Sequence, residues 1–209
     1  MLSLGLSLGF IPGCQDPPIG AGFEDDFDRG ELGPAYRDTA GRYAVYGGRL
    51  NVSKAYNHPL WLKRRLPRDV VVELDAVSFT PDGDIKLELF GDGRSFEDHR
   101  GAYRGTGYIL CLGGWKNTKS FIARQIEHPP RGKEREFMAE RSDFKVTPGK
   151  VYRLRIVRQG QEIRWDVDGQ PFLAFVDRRP LHGRGNDHFG FNNWESEVAF
   201  DNLSIRPFK

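Results

Sequence analysis

The chain has 209 residues, of which thirty-one are basic and twenty-nine acidic, so its formal net charge is only +2. Because the two signs are interleaved along the sequence, no large basic field exists, and we predict no nucleic-acid partner. Twenty-five glycines, thirteen prolines and fifteen phenylalanines favour many short strands joined by turns over long helices. We therefore predict an all-β protein, a two-sheet antiparallel β-sandwich.

The N-terminal segment, residues 1–13, is uncharged and apolar, and it is too short to span a bilayer as a helix. It ends at Ile11-Pro12-Gly13-Cys14, which resembles a bacterial lipoprotein lipobox. The resemblance implies cleavage after residue 13, a lipid anchor on Cys14 and location at the bacterial outer envelope, with a tether over residues 14–22. Since no Lys or Arg precedes the apolar run, a disordered hydrophobic N terminus is the alternative.

The strand pattern divides residues 23–209, which we expect to form a single domain, into many short segments. The predicted strands cover residues 43–46, 49–52, 60–66, 70–76, 85–89, 108–112, 121–125, 152–156 and 163–167. In the strand at 85–89, Ile85, Leu87 and Leu89 share one face, and Lys86 and Glu88 are expected on the other. Residues 129–147 are charged and aperiodic, which predicts a long excursion with one helical turn at 134–141.

Cys111 lies in the apolar run of residues 108–112, which is typical of a buried strand. If Cys14 carries lipid, Cys111 has no partner in the chain, and no intramolecular disulfide is expected. We interpret Cys111 as an inert packing residue and not as a nucleophile.

The C-terminal strand shows a change of phase. Val198 and Phe200 alternate correctly, but Leu203 is one residue out of phase with them, which predicts a bulge at Asp201-Asn202. At this point the sequence resembles the concanavalin A-like jelly-roll superfamily over residues 23–206. The resemblance implies that the first and last strands lie side by side, so that Asp25-Asp26-Phe27 faces Phe200-Asp201-Asn202.

Several short motifs are similar to those of an uncharacterised group of myxobacterial-type lipoproteins, a resemblance that brings no activity with it. These motifs are Asn57-His58-Pro59-Leu60-Trp61, Gly83-Asp84-Ile85-Lys86, Gly113-Gly114-Trp115-Lys116-Asn117, Ala123-Arg124 with Glu127-His128, and Asp187-His188-Phe189-Gly190-Phe191-Asn192. More distantly, the layout is similar to 3-keto-glycoside hydrolase and laminin-G-like domains, which imply a sugar substrate class by analogy.

Family-16 glycosidases share the jelly-roll fold and carry Glu-x-Asp-x-x-Glu on one strand. In this chain Glu73-Leu74-Asp75 begins the pattern, but Ser78 stands where the third acid belongs. A retaining hydrolase needs two carboxyl groups about 5 Å apart, so we interpret Glu73 and Asp75 as a solvated strand face.

A set of aromatic, amide and charged residues is not needed by a sandwich core and suits sugars, because indoles stack on pyranose C–H faces while amides and charges bind hydroxyls. The predicted ligand-binding residues are Asn57, His58, Trp61, Trp115, Asn117, Arg124, Glu127, His128, His188, Asn192, Asn193 and Trp194. The alternative for each Trp is a place in the core, and for each His a satisfied position in a loop.

Glu127 beside His128 forms a candidate catalytic acid-base pair, provided that both residues have left the strand before Pro129-Pro130. Zinc at His58, His128 and His188 is disfavoured, because no spacing enforces it.

Calcium is the better metal candidate, with Glu24, Asp26 and Asp201 as oxygen donors where the terminal strands meet. The alternative is that Asp26 and Asp201 bind turn backbones.

These observations favour a lipid-anchored, lectin-like, carbohydrate-binding envelope protein over an enzyme. A glycan-processing hydrolase or lyase of the 3-keto-glycoside hydrolase kind is one alternative. The other is a structural envelope lipoprotein that binds a second protein.

Overall fold

The computed structural model describes residues 15–97 and 103–209. The predicted leader and Cys14 lie outside the described residues, so lipidation stays a prediction. Within these two ranges no helix is long and apolar enough to cross a membrane.

Two antiparallel sheets contain nearly all of the regular structure in the described ranges. The first, of eight strands, consists of β1 (Phe23–Asp25), β3 (Tyr43–Tyr46), β4 (Arg49–Ser53), β6 (Val70–Ser78), β11 (Val151–Gln159), β12 (Glu162–Val167), β13 (Gln170–Val176) and β15 (Glu197–Pro207). The second, of seven strands, consists of β2 (Tyr36–Asp38), β5 (Leu60–Leu62), β7 (Ile85–Gly91), β8 (Arg104–Gly113), β9 (Lys119–Ile126), β10 (Met138–Arg141) and β14 (His188–Asn192). Two short turns, α1 (Gly114–Asn117) and α2 (Glu134–Phe137), flank β9.

The core lies between the two sheets and is built by alternate residues of each strand. Val72 and Leu74 of β6 and Ile85 and Leu87 of β7 belong to this core, and all four side chains are buried. The predicted all-β sandwich is therefore confirmed.

The terminal strands pair as the jelly-roll resemblance implied. Phe23 of β1 lies opposite Ile205 of β15, and Asp25 lies opposite Leu203. The predicted bulge is confirmed as well, because the register between β15 and β6 shifts between Asp201 and Ser204. Asn202 has φ of 50°, the left-handed conformation that asparagine tolerates better than most residues.

Two predicted elements differ from the structure. The strand at 60–66 ends at Leu62. The helical turn at 134–141 is helical only over α2, and the remainder is β10, which pairs with β9 through Met138 and Ala123. Sequence alone missed this strand, because a four-residue edge strand gives almost no periodicity.

The segment that follows Cys14 lies against the domain. Arg65 N donates to Pro17 O at 2.9 Å, and Ile19 N donates to Arg65 O at 2.9 Å. The carboxylate of Asp16 contacts Arg37 and His188, each at 3.2 Å. Chain positions 16–19 are therefore fixed to the sandwich by backbone and side-chain bonds.

Candidate functional site on the outer face of the seven-stranded sheet

The outer face of the seven-stranded sheet carries Lys86 and Glu88, opposite the core face as the alternation of this strand predicted, and it buries both charged side chains. Lys86 is 3% exposed and Glu88 is fully buried. Their neighbours on β8, Ile109 and Cys111, belong to a second apolar cluster on this face. Burying a charge is costly unless it is paired, so these side chains require partners.

Lys86 is the centre of a buried polar network. Its Nζ lies 2.8 Å from Asn57 Oδ1, 2.8 Å from Glu127 Oε1 and 3.7 Å from Asp84 Oδ1. Burial opposes the charge, but the carboxylates of Asp84 and Glu127 outweigh it and raise the pKa of Lys86. The lysine is therefore a cation that organises three side chains from three different segments of the chain.

Asp84 and Glu127 reach Lys86 from loops that flank the sheet. Asp84 precedes β7 and also accepts a hydrogen bond from the backbone N of Trp194 at 2.5 Å. Glu127 is the first residue after β9, which ends at Ile126, and its carboxylate reaches Lys86 on the outer face of the sheet. The requirement that Glu127 and His128 lie outside the strand is thus met.

Glu88 lies deeper in the same face. Its Oε1 accepts hydrogen bonds from Tyr103 OH at 2.8 Å and from Asn192 Nδ2 at 2.9 Å, whereas Oε2 has no hydrogen-bond partner among the described residues. Burial raises the pKa of Glu88 to about 8, because desolvation outweighs these two hydrogen bonds. The carboxyl is therefore largely protonated at neutral pH.

Aromatic rings form the walls next to this network. Trp115 and His128 stack with ring centroids 4.8 Å apart and an interplanar angle of 9°, and Lys119 Nζ lies 4.5 Å from the Trp115 centroid. Trp194 packs edge-on against Tyr56 at 5.1 Å. Trp115 is thus not a bare platform, because the imidazole of His128 covers part of it.

Left-handed backbone conformations are concentrated around these rings. Asn57, Asp84, Trp115 and Lys116 have φ between 53° and 63° although none is glycine. Each such residue costs free energy, and such strain is frequent at ligand-binding sites. The turn α1 is in fact a left-handed turn, with Trp115 at φ 53° and ψ 56°.

These groups line one cavity of about 230 Å³, which we call the Trp115 cavity. Its lining residues are Asn57, Asp82, Asp84, Lys86, Trp115, Lys116, Glu127, His128, Trp194, Glu195 and Ser196. Four carboxylates and two lysines give the lining a formal charge of −2 when His128 is neutral. The arrangement offers indole and imidazole surface together with hydrogen-bond acceptors.

Five of the twelve predicted ligand-binding residues meet in this cavity. They are Asn57, Trp115, Glu127, His128 and Trp194. No hydrogen bond joins Glu127 to His128 among the described contacts, since Glu127 faces Lys86 and His128 faces Trp115. The predicted acid-base pair is therefore not formed, although both residues are present.

Trp61 and His58 do not line the cavity. Trp61 is buried, its ring packs over Gly190, and its Nε1 donates to Ser95 O at 3.0 Å. His58 bonds to Ala55 O at 2.8 Å and stacks on Phe96 at 4.8 Å. These contacts correspond to the alternatives considered from sequence, a core indole and a satisfied loop histidine.

Three predicted asparagines form buried hydrogen bonds to loops or neighbouring strands instead of lining the cavity. Asn117 bridges two loops through Val146 N, Val146 O and Pro81 O. Asn193 donates to Ser196 O at 2.9 Å, and Asn192 donates to the buried Glu88. All three are buried, and they position the loops that carry Trp115 and Trp194.

Arg124 and His188 are in other parts of the molecule. Arg124 Nε donates to Asp177 Oδ2 at 2.8 Å at the edge of the sandwich. His188 lies between two carboxylates, with Nε2 3.2 Å from Asp16 and Nδ1 2.8 Å from Asp187. Neither lines the Trp115 cavity, and His188 is not gathered with His58 or His128.

The three predicted calcium ligands are not gathered into one site. Glu24 and Asp26 line one surface groove, while Asp201 lines another hollow, 3.9 Å from Arg49. Asp26 and Asp201 accept hydrogen bonds from the backbone N of Asp28 and Asn202, as in the alternative of turn binding. No cluster of three metal-binding side chains occurs in the described ranges, and calcium stays a prediction.

Sequence reasoning missed Asp82, Asp84, Lys86, Lys116, Glu195 and Ser196 as cavity residues. The sequence of the neighbouring strand β8 could have indicated that Lys86 is buried. Residues 108–112 are apolar at every position, and a strand that is apolar on both faces is buried on both faces. The outer face beside it could therefore not be fully solvated.

No protein family profile and no curated sequence matches the chain. Among solved structures, carbohydrate-binding module CBM66 from Bacillus subtilis has a TM-score of 0.60 at 14% identity, covering 84% of this chain and 98% of that one. A prokaryotic beta-1,3-1,4-glucanase (lichenase) derived from a mouse hindgut metagenome has a TM-score of 0.61 at 12% identity, covering 90% and 100%. The laminarinase from Rhodothermus marinus has a TM-score of 0.57 at 13% identity, covering 90% and 96%. The chain therefore shares the two-sheet jelly-roll fold of these structures.

Proposed function

We propose that the protein binds carbohydrate and that the Trp115 cavity holds one sugar residue of the ligand. The observation that carries the proposal is the convergence of two tryptophans and a buried Asn–Lys–Glu network on one cavity. A sugar needs an apolar surface for its C–H face and fixed polar groups for its hydroxyls, and the cavity offers both. The carbohydrate-binding module among the structural neighbours supports the same function.

The size of the cavity favours a single sugar ring. At about 230 Å³ it is smaller than the roughly 300–1,000 Å³ that encloses a drug-sized ligand. We therefore infer that the cavity recognises a terminal or protruding residue. An extended chain would continue over the rim, where Phe96 is half exposed and stacks on His58.

The charge of the cavity favours neutral or amino sugars. Its formal charge of −2 would repel a uronic acid or a sulfated ring, and Lys86 is already in contact with Asp84 and Glu127. The preorganised lysine keeps the carboxylates in place as acceptors for hydroxyl or ammonium donors.

A glycan-array experiment tests this proposal. Neutral and amino oligosaccharides should bind, and uronic and sulfated ones should not bind to this cavity. A Trp115→Ala variant should lose the signal, whereas Tyr46→Ala, which removes an exposed aromatic ring on β3, should keep it. Equal retention of the signal in both variants would contradict the assignment to the cavity.

Catalysis is the second candidate function, because Asp84 and Glu127 both bring a carboxylate oxygen to Lys86 within the same cavity. Binding is better supported, since Lys86 occupies the space between these carboxylates and the protonated carboxyl of Glu88 is fully buried. Product analysis on any array ligand decides the matter. Turnover that Glu127→Gln abolishes while binding persists would establish an enzyme.

We also propose that the protein is an exported lipoprotein anchored through Cys14 at the bacterial envelope. The lipobox-like residues 11–14 support this. If Cys14 is lipidated, the contacts of Asp16 with Arg37 and His188 would keep the domain close to the membrane. Labelled palmitate should be incorporated by the protein and not by a Cys14→Ala variant.

A further inference from the structure

A second cleft, rich in arginine, lies at the edge of the sandwich, where β9 and α2 approach the end of β13. Its volume is about 460 Å³, and it shares no lining residue with the Trp115 cavity. The lining consists of Arg124, Arg135, Glu136, Phe137, Val176, Asp177, Arg178 and Arg179. We call it the arginine cleft.

The frame of the arginine cleft is fixed by hydrogen bonds that converge on the buried Asp177. Asp177 accepts from Tyr108 OH at 2.8 Å, from Arg124 Nε at 2.8 Å and from the backbone N of Arg179 at 2.9 Å. Arg124 Nη2 also donates to Arg179 O at 3.3 Å. Burial opposes the charge of Asp177, but these hydrogen bonds outweigh it and lower its pKa. The loop that carries Arg178 and Arg179 is thus held in place at both sides of Arg179.

The remaining arginines of the cleft are not neutralised. The side chains of Arg135, Arg178 and Arg179 are exposed and form no ion pair with any described residue. Asp177 is already committed to Arg124, which leaves Glu136 as the remaining acid of the lining. Four arginines and two acids give the cleft a formal charge of +2, opposite in sign to the Trp115 cavity.

We propose that the arginine cleft is a second binding site and that it takes sulfate or carboxylate groups of an acidic polysaccharide. A guanidinium presents a planar fork of donors that matches the two oxygens of such groups. Phe137 is the single aromatic ring of the lining. Single-stranded nucleic acids require several aromatic platforms for their bases, so a polysaccharide fits this cleft better than RNA.

Titration calorimetry of the full chain at low salt tests the proposal with three probes. A heparin-derived hexasaccharide carries sulfates, hexagalacturonate carries only carboxylates, and laminarihexaose is neutral. The Arg178→Ala/Arg179→Ala variant should bind the acidic probes roughly tenfold more weakly or worse, because it loses charge-assisted hydrogen bonds. Since heparin carries carboxylates as well as sulfates, binding of hexagalacturonate shows whether carboxylates alone are sufficient.

A matched control separates this site from general electrostatic attraction. Arg153→Ala/Arg155→Ala removes the same charge from the outer face of the eight-stranded sheet and should leave the affinity for the acidic probes unchanged. Equal weakening in both variants, or no binding of either acidic probe, would overturn the proposal. Single-stranded RNA that binds as tightly as the acidic probes would also overturn it.

The result expected for the arginine cleft does not depend on the Trp115 cavity. Trp115→Ala should keep its affinity for the acidic probes, and the Arg178→Ala/Arg179→Ala variant should keep its affinity for the neutral sugar found on the array. Failure of either proposal therefore leaves the other one testable.

Discussion

The outer faces of the two sheets differ in how far their charged side chains are buried. On the eight-stranded sheet, Glu73, Arg155 and Arg206 form ion pairs whose side chains are between 22% and 45% exposed. On the seven-stranded sheet, Lys86 and Glu88 are almost fully buried. Solvated pairs add little to stability, whereas buried charges are costly and persist where a specific arrangement needs them. This difference supports our placing of the proposed sugar site on the seven-stranded sheet.

Removal of Lys86 should give the largest effect. Lys86→Ala leaves Asp84 and Glu127 without their counterion in a buried position, and we expect unfolding in urea to show a loss of about 3–5 kcal/mol. Arg155→Ala, which removes a cation from the opposite outer face, is the control. If Lys86→Ala and Arg155→Ala lower the free energy of unfolding by the same amount, the two outer faces do not differ in the energetic role of their charges.

The titration of Glu88 should make the stability depend on pH. In the folded protein this carboxyl keeps its proton up to about pH 8, whereas in the unfolded chain it loses it near its ordinary value of 4.5. The folded state binds more protons in this interval, so its stability should fall as the pH rises from about 4.5 to about 8. The titration of Glu88 alone can change the free energy of unfolding by at most about 1.4 kcal/mol per pH unit.

Glu88→Gln isolates that contribution. Glutamine keeps an acceptor for Tyr103 and Asn192 but does not titrate, so the fall in stability between pH 5 and 8 should become smaller. Glu140→Gln, at an exposed carboxylate paired with Lys119, is the control. A pH dependence that is the same in Glu88→Gln and in the unmodified protein would exclude Glu88 as its source.

Arg124 should behave as a structural residue in spite of its predicted place in the sugar site. Arg124→Ala removes the charge-assisted hydrogen bond to the buried Asp177 and should lower the free energy of unfolding by roughly 1.5–3 kcal/mol. Because Arg124 does not line the Trp115 cavity, binding of a neutral sugar to the folded variant should be unchanged. Loss of neutral-sugar binding without a change in Tm would instead support the prediction from sequence that Arg124 binds the sugar.

The smallest effect is expected on the outer face of the eight-stranded sheet. Glu73→Gln breaks ion pairs with Arg155 and Arg206, and we expect a change of no more than about 1 kcal/mol that decreases further with added salt. Thermal unfolding at two salt concentrations measures it. A loss comparable to that of Lys86→Ala would remove the contrast between the two faces.

The fold was largely predictable, because strand periodicity depends only on neighbours in sequence. The alternation at Val72 and Leu74 and the phase change at Asp201 both predicted what the structure shows. The site was predictable in part. Trp115 and Trp194 were predicted as site residues from their type, whereas Lys86 was assigned to a strand face but not to the candidate site.

The limit on predicting the site is physical. Whether an alternating charged residue faces water or a second layer depends on what covers the sheet, which periodicity does not encode. One of the groups that cover Lys86 is the carboxylate of Glu127, which is forty-one positions later in the sequence. In the same way, Arg124 and Trp115 are close in sequence but reach different clefts.

The central claim is that the Trp115 cavity holds the sugar, and titration of the array ligand into Trp194→Ala tests it most directly. Trp194 lines the cavity and is partly exposed, so its removal should weaken binding tenfold or more while the free energy of unfolding changes little. Tyr46→Ala, measured beside it, should bind like the unmodified protein. Unchanged affinity in a folded Trp194→Ala variant would contradict the assignment of the sugar to this cavity.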